Sequence, residues 1–173
     1  MVQIGEKAPD FYLEGIQGET ISKFSLEEFR GKWVVLFFYP LDFTAVCPTE
    51  IKGFDAQLEE FKKAGAVVLG VSVDSVYSHK AWIADGLGKI GFPLLSDLAK
   101  EVSEAYGILK KKEGIAFRAT FIINPEGIIE SIGINNLDVG RSVSETMRLL
   151  KAFQTKGLCP VDWKPGEKNL KPK

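Results

Sequence analysis

Cysteine and histidine are scarce in this sequence. The chain of 173 residues has two cysteines, Cys47 and Cys159, and one histidine, His79. Two cysteines are too few to staple a small secreted scaffold. With a single histidine, they are also too few for a typical structural zinc site. We therefore expect no metal and no cofactor, and we expect the cysteines to serve chemistry rather than scaffolding.

An excess of charge of either sign is also missing. The sequence has 22 basic and 23 acidic residues and a net charge of −1, which argues against a surface for nucleic acids or anionic membranes. No run approaches the ~20 apolar residues of a membrane-spanning helix. The N-terminus has charges at Glu6, Lys7 and Asp10 and no apolar segment typical of a signal peptide. A soluble cytoplasmic protein is the expectation.

The sequence does contain enough apolar material for one α/β domain, with 45% hydrophobic residues. Continuous apolar runs at 33–39 and 66–73 predict strands that are buried on both faces of a sheet. Strands at 119–124 and 128–134 flank the turn sequence NPEG and predict an antiparallel hairpin. A capping box of Ser25 and Glu28 predicts one short helix. Capping residues and apolar spacing predict further helices from Pro48 to Gly65 and from Ser75, Ser96 and Ser142.

The order of these elements is that of a thioredoxin-like α/β fold. A β-rich N-terminal segment precedes a mixed central sheet flanked by helices, and we assign this domain to residues 1–155. The remaining segment, 156–173, is rich in Lys, Pro and Gly, so its composition predicts a solvated, mobile tail. The tail nevertheless contains Cys159 and Trp163. The fold alone does not decide the activity.

Cys47 lies between a buried strand and a helix. If Pro48 takes the first helical position, Cys47 becomes the N-cap and its sulfur lies among unpaired backbone N–H groups. A thiolate there is stabilised by the helix dipole, and a nearby Arg or Lys would stabilise it further. The alternative is a buried, inert thiol, which is common for free cysteines. Because no C-x-x-C occurs on either side of Cys47, a disulfide at Cys47 requires Cys159 or another molecule.

Three neighbours of Cys47 each allow a chemical and a structural interpretation. The Thr44 hydroxyl could hydrogen-bond to the thiol or its substrate, or it could satisfy a turn. Pro40 could shield the sulfur from water or simply end the strand. Glu50 could cap the helix or orient a cation beside the thiolate. Spacing alone does not choose between these interpretations.

The stretch YPLDFTAVCPTE resembles the peroxiredoxins, whose P-x-x-x-T-x-x-C pattern falls on Pro40, Thr44 and Cys47. The segments DSVYSHKAW, FPLLSD, GIAFRATFIINPEG and LCPVDWKPG are similar to the typical two-cysteine class, the alkyl hydroperoxide reductase C type. The resemblance covers essentially the whole chain and is more specific than any single motif. It implies a thioredoxin-like fold with a β-rich N-terminal extension.

The resemblance also implies a thiol-dependent peroxidase that reduces hydrogen peroxide and alkyl hydroperoxides to water and alcohols. It assigns Cys47 as the peroxidatic cysteine, which becomes a sulfenic acid, and Cys159 as the resolving cysteine, which joins it in an intersubunit disulfide. Pro40, Thr44 and Arg118 would complete the peroxide pocket, and Glu50 would orient Arg118. The implied partners are a thioredoxin-like protein or a flavoprotein disulfide reductase, together with a second copy of the chain in a homodimer that can assemble into a decamer.

Two other functions remain open on the sequence. A general thiol–disulfide oxidoreductase is disfavoured by the missing C-x-x-C, and a holdase chaperone or redox-signalling binder is supported only by the expected oligomer surface.

A Cys47/His79 hydrolase is disfavoured because no signature marks His79 as a base, and a structural role is expected for His79. Arg141 could support Arg118 or a dimer contact, but a solvated residue at the start of a helix is the simpler expectation.

Overall fold

The computed structural model describes residues 2–172, which form nine strands and five α-helices. In chain order, the elements are β1 (Tyr12–Gln17), β2 (Thr20–Ser25), a 3-10 turn (Glu27–Phe29), β3 (Trp33–Phe38), α1 (Cys47–Ala56), α2 (Leu58–Lys63), β4 (Ala66–Ser72), α3 (Val76–Trp82), a kinked turn (Ile83–Leu87), β5 (Leu94–Ser96), α4 (Glu101–Ala105), β6 (Leu109–Lys110), β7 (Ile115–Ala116), β8 (Arg118–Ile123), β9 (Ile129–Asn135) and α5 (Val143–Gln154).

Seven of the strands form one mixed sheet in the order β2-β1-β5-β4-β3-β8-β9. Strands β3, β4 and β5 are parallel, whereas β8 and β9 form the predicted antiparallel hairpin beside β3. Strands β6 and β7 pair separately. The predicted mixed α/β sheet flanked by helices is therefore confirmed. No helix in the described part of the chain is long and apolar enough to cross a membrane.

The central strand β3 separates two apolar clusters. Its odd-numbered residues, such as Val35 and Phe37, pack into the cluster that contains Cys47, and its even-numbered residues, such as Leu36, pack into the cluster on the other face. Successive side chains of a strand point to opposite faces, so a strand covered on both sides needs an unbroken apolar run. The ring of Phe37 stacks on Phe54 of α1 at 4.4 Å between centroids, which docks this helix against the sheet.

Several predicted helix boundaries are confirmed. Ser75 caps α3 by accepting a hydrogen bond from the N–H of Ser78, and Ser142 caps α5 by accepting one from Glu145. The helix predicted from Ser25 and Glu28 is only a single 3-10 turn.

Two helix predictions had wrong boundaries. The helix predicted from Ser96 starts later, at Glu101, because Ser96 ends β5. The N–H groups of Val102 and Ser103 donate instead to the carboxylate of Asp97, at 3.1 and 2.7 Å. The single helix predicted from Pro48 to Gly65 is two helices, since the backbone of Gln57 leaves helical geometry at φ −106° and ψ 8°.

The tail after α5 is packed against the domain rather than free, contrary to the prediction from its composition. Trp163 is only 2% exposed, and its indole N–H donates to the carbonyl of Glu167 at 3.1 Å. Arg148 of α5 donates to the Trp163 carbonyl at 3.1 Å, and Leu170 donates to Leu158 at 2.8 Å. One buried aromatic ring and a few backbone hydrogen bonds therefore outweigh a composition that favours disorder.

Candidate active site

Cys47 is the first residue of α1 and lies just beyond the carboxyl end of β3. The N-cap is Val46 rather than Cys47, and Pro48 takes the second helical position. The boundary differs by one residue because Val46 already has helical dihedrals, φ −85° and ψ −39°. The carbonyl of Val46 accepts from Thr49 and Glu50 at 3.0 and 3.3 Å. The sulfur still lies at the helix N-terminus, and Cys47 has no exposed surface.

Arg118 reaches Cys47 from the neighbouring strand. The register of the antiparallel pair places Ala119 opposite Phe38, so Arg118 at the start of β8 lies beside the end of β3. Its Nη1 atom donates to Cys47 Sγ at 3.3 Å and to Glu50 Oε2 at 2.7 Å. Its Nε atom donates to the carbonyl of Leu137 at 2.8 Å. The guanidinium is therefore fixed against the sulfur by a carboxylate and a carbonyl.

Glu50 lies on the same helix as Cys47, one turn further on. Residues three apart on a helix lie on one face, so the carboxylate and the thiol are both directed at Arg118. Glu50 is 4% exposed. Its other oxygen, Oε1, accepts from the backbone N–H and the Nε of Arg141 at 3.0 and 2.9 Å. The geometry corresponds to the interpretation in which Glu50 orients a cation.

The side chain of Arg141 is only 5% exposed, so the expectation of a solvated residue was wrong. Its guanidinium donates to the carbonyls of Ala119 at 2.7 Å and Phe38 at 2.6 Å and lies over the ring of Phe37 at 5.1 Å. It therefore ties the start of α5 to both strands beneath the site. The scarcity of arginine was the one feature of the sequence that could have indicated a role for Arg141, since the chain has only four arginines.

The charged side chains around the sulfur do not cancel each other. Burial lowers the pKa of Arg118, but the hydrogen bond to Cys47 and the charge of Glu50 outweigh burial, and the pKa is raised above its ordinary value. Burial lowers the pKa of Arg141 below its ordinary value despite the charge of Glu50. One carboxylate thus faces two guanidiniums, which leaves a net positive charge beside the sulfur.

Pro40 and Thr44 lie in the segment that connects β3 to α1. Pro40 is buried, whereas Thr44 is exposed. The hydroxyl of Thr44 donates to the carbonyl of Leu41 at 2.8 Å, which is the turn interpretation. Among the described residues, it makes no hydrogen bond to Cys47.

Cys159 lies in the tail after α5 and is half-buried. Its sulfur lies 3.7 Å from the carbonyl of Ala152, 3.7 Å from Asn169 Oδ1 and 3.5 Å from Thr155 Oγ1. Both cysteines are free and are not at disulfide distance from each other. The structure therefore does not bring Cys159 to Cys47 within one chain.

The fold and the site are those of a thioredoxin-like protein with a reactive cysteine. A thioredoxin-like sheet presents a buried cysteine at a helix N-terminus to an arginine that is held by a carboxylate, which is the environment of a reactive thiol. Within residues 2–172, no three His, Cys, Asp or Glu side chains cluster in a way that could hold a metal ion.

Comparisons with known proteins give the family. Residues 4–132 match the model of the AhpC/TSA family, and the chain belongs to this family. Mouse peroxiredoxin-2 is 50% identical over 179 residues, which cover 98% of this chain and 90% of the relative. The spinach chloroplastic 2-Cys peroxiredoxin BAS1 is 51% identical, over 98% of this chain and 68% of the relative. The reduced 2-Cys peroxiredoxin of Plasmodium vivax superimposes with a TM-score of 0.96 at 38% identity, covering 100% of this chain and 95% of that one. The expected thiol-dependent peroxidase activity is thereby confirmed.

Proposed function

We propose that Cys47 is the peroxidatic cysteine and that it reduces hydrogen peroxide and alkyl hydroperoxides. The observation that carries this assignment is the hydrogen bond of 3.3 Å from Arg118 Nη1 to Cys47 Sγ. The thiolate attacks the terminal peroxide oxygen and the O–O bond breaks. Cys47 becomes a sulfenic acid, and the other oxygen leaves as hydroxide or alkoxide, which is protonated to water or an alcohol.

Arg118 and Glu50 act together in this step. A guanidinium has several donors in one plane, so Arg118 can hold the sulfur and also stabilise charge on the departing oxygen. Glu50 keeps the guanidinium oriented through its bond of 2.7 Å. Thr44 and Pro40 belong to the segment before Cys47, and we assign them to the wall of the peroxide pocket.

Cys159 is the proposed resolving cysteine. Its thiol condenses with the sulfenic acid of Cys47, which releases water and forms a disulfide. Because the two cysteines of one chain are not at disulfide distance, we assign this bond to two subunits. The edge position of β9 supports a dimer, since the free edge of a strand can pair with a second copy. We propose a homodimer that can assemble further into a decamer.

A dithiol donor completes the cycle. Thiol–disulfide exchange with a thioredoxin-like protein or a flavoprotein disulfide reductase returns both cysteines to thiols. A chain with only two cysteines has no framework of stapling disulfides and suits a reducing compartment, and we therefore propose that the protein works in the cytoplasm. We divide the chain into a thioredoxin-like domain, 1–155, and a C-terminal segment, 156–173, that carries the resolving cysteine.

The experiment compares peroxide consumption with dithiothreitol for the wild type, Cys47→Ser and Cys159→Ser, alongside non-reducing gels. We expect Cys47→Ser to lose activity, because no nucleophile remains at the helix start. Peroxide should produce a disulfide-linked dimer band in the wild type and in neither variant. Activity in Cys47→Ser would overturn the assignment, and a wild-type disulfide that leaves only monomer would overturn the intersubunit bond.

A further inference from the structure

The single histidine belongs to a buried polar cluster that the peroxidase chemistry does not use. His79 of α3 has no exposed side-chain surface, and its Nδ1 lies 2.8 Å from Asp42 Oδ2, on a side chain that is 1% exposed. The same carboxylate accepts from the hydroxyl of Tyr39 at 2.9 Å and from that of Ser78 at 2.8 Å. Asp42 thus has three polar partners away from water.

Both ring nitrogens of His79 face hydrogen-bond acceptors. Nε2 lies 3.1 Å from the carbonyl oxygen of Leu95, which can only accept, and Nδ1 faces the carboxylate of Asp42. A neutral imidazole has hydrogen on one nitrogen only. Beside an ionised Asp42, either neutral tautomer would press a lone pair against an acceptor in a buried site, which is costly. Hydrogen on both nitrogens satisfies both contacts.

The other groups around the ring are anionic or neutral. The charged groups that face His79 are Asp42, in the segment after β3, and Asp74, which follows β4 and accepts from the backbone of Asp42 at 2.8 Å. Tyr39 at the end of β3 remains a neutral donor, because burial and then the charge of Asp42 raise its pKa well above the ordinary value. Strand β5 contributes only the Leu95 carbonyl. The imidazole therefore lies beside two carboxyl groups.

The ion pair holds the segment that leads to Cys47. Asp42 is fixed through its carboxylate and through its backbone N–H. The next residue, Phe43, has φ 56° in the left-handed region, which is unfavourable for a bulky side chain. Such a conformation persists only where the surroundings enforce it. Thr44 follows directly, and α1 begins three residues later.

We propose that His79 is a positioning residue whose imidazolium, through Asp42, holds the segment 40–46 in the conformation that the reaction at Cys47 requires. The proposal rests on the peroxidase function proposed above and adds a residue to it. His79 touches neither the sulfur nor Arg118 in the hydrogen bonds of the site; it acts through Asp42. Loss of its charge leaves the buried carboxylate uncompensated, and the strain at Phe43 can then relax by moving Thr44 and the helix start.

The charge can be measured directly because His79 is the only histidine. Nitrogen-15 NMR of labelled full-length protein at about pH 7.5, where an unperturbed imidazole is mostly neutral, gives the signals of one ring. We expect both nitrogens at imidazolium positions. One protonated and one unprotonated nitrogen would overturn the proposal. The measurement needs no peroxide, so its outcome is independent of the peroxidase function.

The positioning role is tested by the rate constant of Cys47 oxidation by hydrogen peroxide. We expect His79→Gln and Asp42→Asn each to lower it by about 10- to 100-fold, as displacement of reacting groups does. The double variant should lose no more than either single variant, because both act through one contact. Asp97→Asn is the matched control, a carboxylate that is 1% exposed and caps α4 without touching the segment 40–46; its rate should equal that of the wild type.

Unchanged or higher rates in His79→Gln, or additive losses in the double variant, would overturn the positioning role. A wild type whose Cys47 does not react with peroxide would instead overturn the proposed function.

Discussion

Glu50 is the carboxylate on which the buried charges of the site depend. It pairs with Arg118 at 2.7 Å and Arg141 at 2.9 Å, and all three side chains are nearly inaccessible to water. Removing one partner of a buried ion pair leaves uncompensated charge, which costs about 3–5 kcal/mol. We therefore expect Glu50→Gln to lower the free energy of unfolding by roughly this amount in urea titrations.

The matched control is Glu145→Gln, which also removes a carboxylate from an arginine. Glu145 pairs with Arg148 on the surface, where its side chain is 49% exposed, and such pairs contribute at most about 1 kcal/mol. Equal losses in the two variants would show that burial of the Glu50 cluster does not determine its energetics.

Arg118 should not be replaceable by lysine. Its guanidinium donates hydrogen bonds to the sulfur, to Glu50 and to the Leu137 carbonyl. A single ammonium group cannot reproduce that planar set of donors. We expect Arg118→Lys to lower the rate constant of Cys47 oxidation by about 100-fold, which is typical for loss of a donor to developing charge. Stopped-flow tryptophan fluorescence can follow the reaction, with Arg30→Lys as the control. A rate near that of the wild type would exclude the forked geometry as the cause.

Asp74 should contribute a distinct pH dependence to stability. Burial raises the pKa of this half-buried carboxyl above its ordinary value of 3.8. The folded state therefore holds the proton more tightly than the unfolded state. This contribution favours folding below the unfolded pKa and is lost as the pH rises through the folded pKa.

The variant Asp74→Asn removes this titration. Relative to the variant, the wild type should lose stability between about pH 4 and neutrality, by no more than about 1 kcal/mol because water screens a half-buried group. Urea unfolding at several pH values gives the difference. A difference that grows in favour of the wild type as the pH rises would contradict the prediction.

At the scale of elements, apolar runs predicted strands better than local polar patterns predicted helices. The runs at 33–39 and 66–73 correspond to β3 and β4 within one residue at each end, because burial on both faces leaves a continuous signal. Ser96 resembled a helix cap, but it is the last residue of β5 and pairs with Glu14 of β1. Such sheet pairing is a long-range contact that no local window contains.

The tail after α5 should unfold locally when its anchor is removed. Trp163 supplies the buried side chain of this segment, and Arg148 binds its carbonyl. We expect Trp163→Ala to accelerate tryptic cleavage within the tail by at least about tenfold while the main unfolding transition moves little, since a local opening need not involve the core. Val161→Ala, at a tail residue that is 89% exposed, should be cleaved at the wild-type rate. Cleavage of Trp163→Ala at the wild-type rate would show that the tail is held elsewhere.

At the scale of the molecule, the site is assembled from distant parts of the chain. Cys47 and Glu50 share α1, Arg118 begins β8, and Arg141 precedes α5. The thiol at a helix start could be predicted from local sequence, and the family resemblance supplied Arg118. The burial of Arg141 and the Asp42–His79 pair could not be predicted, because their partners are set by how the strands and helices pack. Capping rules predict the contacts of a residue with its neighbours within about one helical turn, and they do not predict contacts between distant segments.

The two edges of the sheet should differ in their contribution to assembly. Strand β9 forms one edge and β2 forms the other, and both leave backbone groups free to pair. Only the β9 edge lies in the hairpin that carries Arg118, so pairing there would place a second copy beside the site.

A charged side chain on an edge strand opposes such pairing. We expect Ile134→Lys, at a residue 41% exposed on β9, to shift the protein to monomer in sedimentation velocity and to abolish the peroxide-induced dimer band. Ile21→Lys, at a residue 36% exposed on β2, is the matched control and should stay dimeric. If Ile21→Lys dissociates the dimer and Ile134→Lys does not, the subunits associate through the opposite edge.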